Sequence, residues 1–444
     1  MSEDLSVFID TCRRRAFFSS GIPVTVTRAP GRLDVMGGIA DYSGSLVLQR
    51  PIAEATFVAL QQSQDSRVEV LSQGRAYSID LSQFMVDAPR DYRSIRELFA
   101  RHHEDHWASY VVGAFIVLAQ ERGARFRNGA RILISSAVPE GKGVASSAAL
   151  EVATMSAIAS SFDIPLQPHD LALLCQMVEN VVAGAPCGIM DQMTSVFGEQ
   201  DSLLALLCQP AVLQPSIKVP REIAFWGVDS GERHAVGGSS YESVRAGAFM
   251  GRRIIAAQSG RSIEYLANVT PPVFERDFAS LLPREIRGEE FLSQYGQTGD
   301  AVTSVVSSRT YKVKQPTAHP VYENARVNQF RELLSSSTGE QQWTSMGELM
   351  YQSHASYAAC GLGSPGTDSI VELVRSLGHD RGLYGARITG GGSGGTVAVL
   401  GRADADPVIA SIAERYREKT GYMPLIFSGA SSGALMFGAV NMNL

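Results

Sequence analysis

A glycine-rich turn that leads directly into a helical pattern is the strongest local signal for chemistry in the sequence. It reads PEGKGVASSAALE over residues 139 to 151. The backbone N–H groups at the start of a helix lack partners and lie at the positive end of the helix dipole, so they bind phosphate well. Gly141 and Gly143 would let the main chain approach a triphosphate, and Ser147 could offer a hydroxyl to Mg²⁺. The spacing differs from a Walker loop, and a capped helix after an ordinary turn stays open as the alternative.

Two carboxylates stand in apolar surroundings downstream of this turn. Asp191 lies within PCGIMDQM, residues 186 to 193, after a turn that would end the preceding helix. Glu179 lies earlier, in the apolar stretch QMVENVV, where an unpaired carboxylate would be costly. Each could be held at a reactive site or be buried and hydrogen-bonded for structure. Helical spacing alone does not join the two, so both interpretations stay open.

A second glycine-rich segment lies near the C-terminus and reads GARITGGGSGG over residues 385 to 395. It formally contains G-x-G-x-x-G at Gly390, Gly392 and Gly395. The residues that follow, 396–400, have a strand pattern rather than a helical one, which excludes the dinucleotide-binding βαβ context. The glycines either form a flexible hairpin loop or pack the backbone tightly against a ligand or the turn at 139–147.

The elements that would position these residues alternate between strand and helix patterns. In the first half they are a strand at 24–28, a strand at 46–60 interrupted at Pro51, a helix at 107–122, a strand at 130–135, and helices at 147–161 and 168–184. After about residue 205 the patterns change to charged helices with strands at 223–229, near 386, at 396–400 and at 425–427. This order predicts an α+β fold of two domains, residues 1–205 and 206–444. Residues 268–320 read as an irregular or inserted helical region of unassigned function.

Composition excludes several classes of protein. The chain has 444 residues, is 45% hydrophobic and carries a formal net charge of -6, so we expect a folded protein that binds neither nucleic acid nor membrane. The beginning, MSEDLSVFID, is acidic where a signal peptide would be basic. The five cysteines form no C-x-x-C pattern or paired framework, which fits a reducing compartment. We therefore expect a cytoplasmic protein.

The order and spacing of these motifs resemble the GHMP sugar kinases, the family that includes galactokinase, homoserine kinase, mevalonate kinase and phosphomevalonate kinase. The resemblance covers almost the whole chain and is strongest to the galactokinase-like members. The motifs that carry it are GRLDVMGGIADYSG at 31–44, WASYVVG at 107–113, PCGIMDQM at 186–193, SGERHAVGGSSY at 230–241, SHAS at 353–356 and GARITGGGSGG at 385–395. It implies a two-domain fold with the active site in the cleft between the domains.

The resemblance also implies roles for individual residues in a transfer of the γ-phosphoryl group of ATP to a sugar hydroxyl. Asp191 matches the carboxylate at the reacting hydroxyl, and Arg32 matches the cation that stabilises it. Ser147 and Glu179 match the Mg²⁺ ligands. The groups around the sugar match Gly38, Ile39, Asp41, Gly188 and Tyr241, and those around ATP match Trp107, Gly141, Gly143, Ala145, Ser146 and Ser147. The galactokinase-like enzymes are often monomers, and we expect the same here.

The chain departs from galactokinases at Gly38 and Ile39, where those enzymes have Glu and His. That Glu holds the 6-hydroxyl of galactose, and L-arabinopyranose is galactose without this CH₂OH group. The surrounding sequence also resembles the kinase portion of plant-type arabinokinases. We therefore expect an L-arabinose 1-kinase, with a galactokinase or a non-catalytic sugar sensor as alternatives. Replacing Gly38 by Glu together with Ile39 by His is expected to move the preference toward galactose.

The remaining candidates carry less chemical information. His102, His103 and His106 lack partners with metal-ligand spacing and are expected in a surface loop. His234 is expected to orient or pack rather than to contact a ligand. Lys142 could touch a phosphate or lie at a solvated loop tip, and the sequence favours neither.

Overall fold

The structure, a computed structural model, describes residues 3–85, 91–101, 103–232, 239–336 and 339–443. The strands in these ranges are β1 (Val24–Met36), β2 (Leu46–Gln62), β3 (Arg67–Ser72), β4 (Arg75–Asp80), β5 (Ala130–Ser136), β6 (Ser202–Leu207), β7 (Val212–Lys218), β8 (Ile223–Asp229), β9 (Glu285–Arg287), β10 (Thr310–Lys312), β11 (Leu383–Ile388), β12 (Thr396–Arg402), β13 (Ile426–Phe427) and β14 (Ala439–Met442).

The α-helices in the same ranges are α1 (Glu3–Arg14), α2 (Ser82–Met85), α3 (Tyr92–Ala100), α4 (Ala108–Arg122), α5 (Ser146–Ser161), α6 (Pro168–Met177), α7 (Met190–Phe197), α8 (Ser239–Ser259), α9 (Pro271–Asp277), α10 (Gly288–Tyr295), α11 (Lys314–Ser335), α12 (Glu340–Cys360), α13 (Pro365–Leu377), α14 (Asp406–Thr420) and α15 (Ala434–Phe437). Short 3₁₀ helices span Gly38–Ser43, His103–Asp105, Leu266–Asn268, Ala279–Leu281 and His379–Arg381. A π-helical turn, Val178–Ala183, continues α6. The predicted mixture of strands and helices is confirmed.

The first sheet has the strand order β14-β1-β2-β5-β3-β4, and β6 and β7 extend it from β2. Its pairs are antiparallel except β3 with β5. Helices α5 and α7 pack over it, and α4 packs on α5. Their apolar residues join those of the strands in one core, with Val58, Phe115, Val152 and Met193 among its members. This core fixes the starts of α5 and α7 relative to β1.

The second sheet has the order β11-β12-β8-β13 and is antiparallel throughout. Helices α13 and α14 contribute to its core, which includes Trp226, Val374, Val399 and Ile409. The sheets change between Lys218 and Ile223, and β14 returns to the first sheet. The division into domains 1–205 and 206–444 stays a prediction.

The structure decides two expectations from the sequence, the interruption at Pro51 and the character of residues 268–320. The predicted interruption at Pro51 is wrong, because β2 runs unbroken through it. A bulge between Pro30 and Arg32 lies opposite Pro51, so the missing proline N–H falls where the ladder is already irregular. Residues 268–320 contain α9, α10 and the β9–β10 pair and pack with α8 and α11 in a third core, which confirms the helical interpretation.

Candidate active site

The turn at 139–147, called the phosphate loop below, leads into α5 without a side-chain cap. The residue before the helix, Ala145, has a left-handed backbone with φ 60°, and no side chain caps the helix start. Gly141 and Gly143 have φ values of 73° and 70°, a conformation that glycine adopts at no steric cost. The first N–H groups of α5 are therefore free of side-chain partners at the positive end of the helix dipole, as an anion site requires.

The second glycine-rich segment packs directly on the phosphate loop. The hydroxyl of Thr396 donates a hydrogen bond to the carbonyl of Lys142 at 2.8 Å. A Cβ atom on Gly395 would lie 2.8 Å from the same carbonyl oxygen, and one on Gly390 would lie 3.0 Å from that of Gly143. Of the two interpretations of this segment, the structure supports tight backbone packing against the loop.

Lys142 anchors the phosphate loop to the second sheet. Its Nζ lies 2.8 Å from Oδ2 of Asp229, at the end of β8, and donates to the hydroxyl of Tyr422 at 3.2 Å. Burial lowers the pKa of Lys142, but the hydrogen bonds to Asp229 and Tyr422 outweigh it and raise that pKa overall. The expected solvated loop tip is wrong, because the Lys142 side chain is only 15% exposed and bound to Asp229; its contact with a phosphate stays a prediction.

Arg32 and Asp191 form a bidentate ion pair at the mouth of the loop. Arg32 Nε donates to Asp191 Oδ1 at 2.8 Å and Nη2 donates to Oδ2 at 2.9 Å. The third nitrogen, Nη1, donates to the carbonyl of Gly143 at 2.6 Å. The Arg32 side chain is 3% exposed and that of Asp191 is 19% exposed, so the carboxylate reaches the cleft while the guanidinium is held behind it.

Glu179 lies in the π-helical turn that ends α6, where the sequence predicts a regular helix. Such turns are frequent at functional sites because they shift one side chain out of the helical register. The Glu179 carboxylate accepts a hydrogen bond from Ser147 and one from Gln192 Nε2 at 2.7 Å. Burial and the negative charge of Asp191 raise the pKa of Glu179 to about 7. The structure thus brings Ser147 and Glu179 together.

Sequence reasoning missed Glu151, a third carboxylate beside this pair. It is fully buried in α5, and its Oε2 accepts from Gln192 Nε2 at 3.1 Å. Within the part of the chain that the structure describes, Glu151 Oε1 and Gln192 Oε1 have no hydrogen-bond partner. Burial and the charge of Glu179 raise the pKa of Glu151 well above its usual range. The four-residue spacing from Ser147, which places both on one face of α5, was the available signal.

The opposite end of the cleft is formed by the 3₁₀ turn Gly38–Ser43. Asp41 is buried, accepts the N–H of Tyr42 at 2.7 Å and faces Gly188, where a Cβ atom would lie 1.7 Å from Asp41 Oδ2. Burial and the charge of Asp191 raise the pKa of Asp41 to about 7, although Arg245 opposes the shift. Glycine at 188 is therefore required for the Asp41 carboxylate to lie at this end of the cleft, which is called the Asp41 wall below.

Arg245 on α8 was also missed by the sequence analysis. It forms a bidentate pair with Asp300, with both distances 2.9 Å, and donates to the carbonyl of Cys187 at 3.2 Å. Its guanidinium lies over the ring of Tyr42, 5.3 Å from the centroid. Asp300 belongs to residues 268–320, so this region supports the wall that carries Asp41. No local motif predicts the Arg245–Asp300 pair, because its members lie far apart in sequence.

One cleft lies between the phosphate loop, the Arg32–Asp191 pair and the turn Gly38–Ser43. The predicted site residues that line it are Arg32, Gly38, Ile39, Asp41, Gly141, Gly143, Ala145, Ser146, Ser147, Glu179, Gly188, Asp191 and Tyr241. Trp107 is half-buried against the first core, with Arg75 stacked 4.9 Å from its ring centroid, and does not line this cleft. Its place near adenine stays a prediction.

The histidines add no metal centre to the described part of the chain. His106 is half-buried, and its Nε2 is hydrogen-bonded to the carbonyl of Ala183 at 3.0 Å. His102, the side chain of His103 and His234 lie outside the described residues. Among the residues described, no group of three or more His, Cys, Asp or Glu could hold a metal. No described helix is both long and apolar enough to cross a bilayer.

The sequence was compared with known protein families and with curated proteins. Residues 109–199 match the GHMP kinases N terminal domain and residues 330–418 match the GHMP kinases C terminal domain. The chain is 45% identical to the L-arabinokinase of Arabidopsis thaliana over 94% of its own length and 46% of that protein, so it spans about half the length of this curated relative.

Solved structures show the same fold at low sequence identity. A galactokinase from Lactococcus lactis, solved with galactose, superimposes with a TM-score of 0.77 at 22% identity, covering 99% of this chain and 100% of that one. A mevalonate kinase from Methanococcus jannaschii gives 0.55 at 15% identity, covering 94% and 98%. With both domain models matched in order around one cleft, the chain carries the N-terminal and C-terminal domains of the GHMP kinases and has their fold.

Proposed function

We propose that the chain is an ATP-dependent sugar 1-kinase that converts L-arabinose to L-arabinose 1-phosphate. The observation that carries the proposal is the bidentate pair of Arg32 and Asp191, placed between the uncapped start of α5 and the turn Gly38–Ser43. A carboxylate of this kind can orient and deprotonate a hydroxyl, and a free helix start can hold phosphate. The identity to an L-arabinokinase supports the choice of sugar.

The proposed reaction joins the anomeric oxygen of the sugar to the γ-phosphorus of ATP. As that bond forms, the bond from the γ-phosphorus to the bridging oxygen breaks and leaves ADP, while the hydroxyl proton passes to Asp191. Arg32 fixes the Asp191 carboxylate through two hydrogen bonds and compensates negative charge beside the transferring group. Catalysis then rests on positioning and charge stabilisation by this chain.

The residues around Glu179 fit a bound Mg²⁺. Glu179 and Ser147 would hold the ion, which commonly takes one or two protein oxygens and completes its shell with phosphates and waters. The fit rests on the buried Glu179 carboxylate, which accepts a hydrogen bond from the Ser147 hydroxyl. Burial, and after it the charges of neighbouring carboxylates, raises the pKa values of Glu151 and Glu179. When bound, the ion neutralises phosphate charge.

The wall formed by Gly38, Ile39 and Asp41 supports a small sugar. Ile39 is 1% exposed and contributes apolar surface, and the Asp41 carboxylate is the acceptor offered to ring hydroxyls. L-Arabinose matches the ring hydroxyls of galactose but lacks its CH₂OH group, so it needs no polar partner at Gly38. The free cysteines support a proposed location in the reducing cytoplasm; the monomeric state stays a prediction.

The proposal is tested with the Asp191→Asn variant. Phosphoryl transfer, followed as ADP release and as the phosphorus NMR signal of the 1-phosphate, should fall at least about 10²-fold in kcat because the general base is lost. ATP binding, measured by calorimetry, should stay near that of the wild type. Asp10→Asn, at an exposed position on α1, is the control and should retain full activity.

Two outcomes would contradict the proposal. Retention by Asp191→Asn of more than about a tenth of kcat, well above the usual loss of a general base, would remove Asp191 from the reaction. Binding of ATP and sugar by the wild type without turnover would favour the sugar-sensor alternative.

A further inference from the structure

The space beside Gly38 is already filled by another side chain. A Cβ atom added to Gly38 would lie 1.4 Å from the hydroxyl oxygen of Tyr357, 2.7 Å from the ring carbon that bears it and 2.8 Å from Oδ2 of Asp34. The φ angle of Gly38 lies outside the left-handed region, so the backbone itself would accept another residue. The closest of these contacts is with Tyr357, so Tyr357 is the main group that excludes a side chain at position 38.

Tyr357 is fixed from several directions and has little freedom to move aside. It is fully buried in α12, and its hydroxyl accepts the N–H of Ile39 at 2.8 Å and donates to the carbonyl of Gly390 at 2.9 Å. The guanidinium of Arg387 lies 5.0 Å from the ring centroid, and the His319 ring packs edge-on at 5.3 Å. Moving Tyr357 would leave buried backbone groups unpaired and disrupt close packing.

We propose that Tyr357 is a positioning residue that determines the sugar preference through Gly38 and Ile39. Its hydroxyl fixes the turn at Ile39 and occupies the volume through which any side chain at position 38 would have to pass. An acidic side chain able to hold a further sugar hydroxyl is thus excluded while Tyr357 is present. This inference rests on the proposed sugar kinase function and deepens it.

The inference changes the expected result of exchanging residues 38 and 39 alone. Gly38→Glu with Ile39→His was expected from the sequence to favour galactose, but the first substitution collides with Tyr357 whatever stands at 39. A switch toward galactose requires that Tyr357 be shortened as well. Leucine at 357 ends before the outer ring and hydroxyl, so it removes the contact at 1.4 Å and leaves only the contact with Asp34 at 2.8 Å.

A double-mutant cycle in the full chain tests whether Tyr357 excludes a side chain at position 38. Gly38→Ala should lower Tm by several degrees in the wild-type background and by clearly less in the Tyr357→Leu background, because contacting residues are not additive. An unchanged Tm for Gly38→Ala, or the same loss in both backgrounds, would overturn the exclusion.

The effect of Tyr357 on the sugar preference is tested by comparing kcat/KM for L-arabinose and galactose. Gly38→Glu alone should lose activity on both sugars, whereas Gly38→Glu with Tyr357→Leu should raise the galactose to L-arabinose ratio by about tenfold or more, the scale of one well-placed polar contact. Tyr311→Leu is the matched control. Tyr311 is another buried tyrosine whose hydroxyl accepts a backbone N–H, and its loss should lower Tm without changing the ratio.

Failure of the inference and failure of the proposed function give different results. An unchanged sugar ratio in the Gly38→Glu, Tyr357→Leu variant, with an active wild type, would overturn the role of Tyr357 and leave the kinase intact. A wild type that phosphorylates neither sugar would overturn both the function and the sugar preference, while the Tm cycle would still decide whether Tyr357 excludes a side chain at 38.

Discussion

Replacement of Lys142 by methionine should loosen the phosphate loop without touching a reacting group. Lys142 Nζ lies 2.8 Å from Asp229 Oδ2, and the Lys142 side chain is 15% and that of Asp229 0% exposed. Methionine keeps most of the apolar length but removes the cation. Asp229 would retain the hydroxyl of Tyr422 and the N–H of Gly231 as donors, without a compensating positive charge.

The size of the effect follows from this geometry. Two unit charges at this separation attract by about 6 kcal/mol at an effective dielectric constant of about 20. The desolvation already borne by Asp229 and its two remaining donors reduce the net loss to about 2–3 kcal/mol of unfolding free energy. Because the loop carries the N–H groups proposed to bind phosphate, KM for ATP should rise about tenfold, while KM for the sugar should change much less.

Denaturant unfolding and steady-state kinetics check both effects. Lys218→Met, at an exposed position on β7, is the control and should behave as the wild type. The pair Lys142→Met with Asp229→Asn should recover part of the lost stability, because it removes the uncompensated carboxylate. Unchanged stability and an unchanged KM for ATP in Lys142→Met would refute the anchoring role.

Three further results are expected. Glu179→Gln should raise the Mg²⁺ concentration needed for half-maximal rate, and an identical metal titration would count against Glu179 as a ligand. Asp41→Asn should flatten the pH dependence of stability. The pKa of Asp41 in the folded state, about 7, lies above its ordinary value of 3.8, so the folded state binds this proton more tightly than the unfolded state does. The wild type therefore loses up to about 4 kcal/mol of unfolding free energy from this group as pH rises from about 4 to 7. Parallel unfolding profiles across that range would contradict this. Asp300→Asn should raise KM for the sugar more than KM for ATP, because Asp300 holds Arg245 behind the Asp41 wall; equal changes would argue against that support.

The sequence predicted the loop at 139–147 because local rules govern it. Glycines and a following apolar helix define the loop within a dozen residues, and hydrophobic periodicity places most of the strands and helices around it. The resemblance to the GHMP kinases, rather than any local rule, paired Arg32 with Asp191, which lie far apart in the chain. Their bidentate contact agrees with that expectation.

The features that the sequence did not predict depend on tertiary contacts. The pairs Lys142–Asp229, Arg245–Asp300 and Gly38–Tyr357 join residues from distant segments, and no periodicity or spacing links their members. The π-helical turn at Glu179 is another case, because its apolar pattern resembles that of an ordinary helix. Tertiary packing rather than local propensity decides each of these positions.

The central claim is tested most directly by the wild-type enzyme in competition between L-arabinose and galactose at equal concentrations, with the same ATP and Mg²⁺. Phosphorus NMR of the mixture identifies which sugar gains a phosphate and at which carbon. The account predicts L-arabinose 1-phosphate as the main product, with galactose 1-phosphate minor, because Gly38 and Ile39 offer no polar partner to the extra CH₂OH group. A majority of galactose 1-phosphate, or phosphate on any carbon other than the anomeric one, would contradict it.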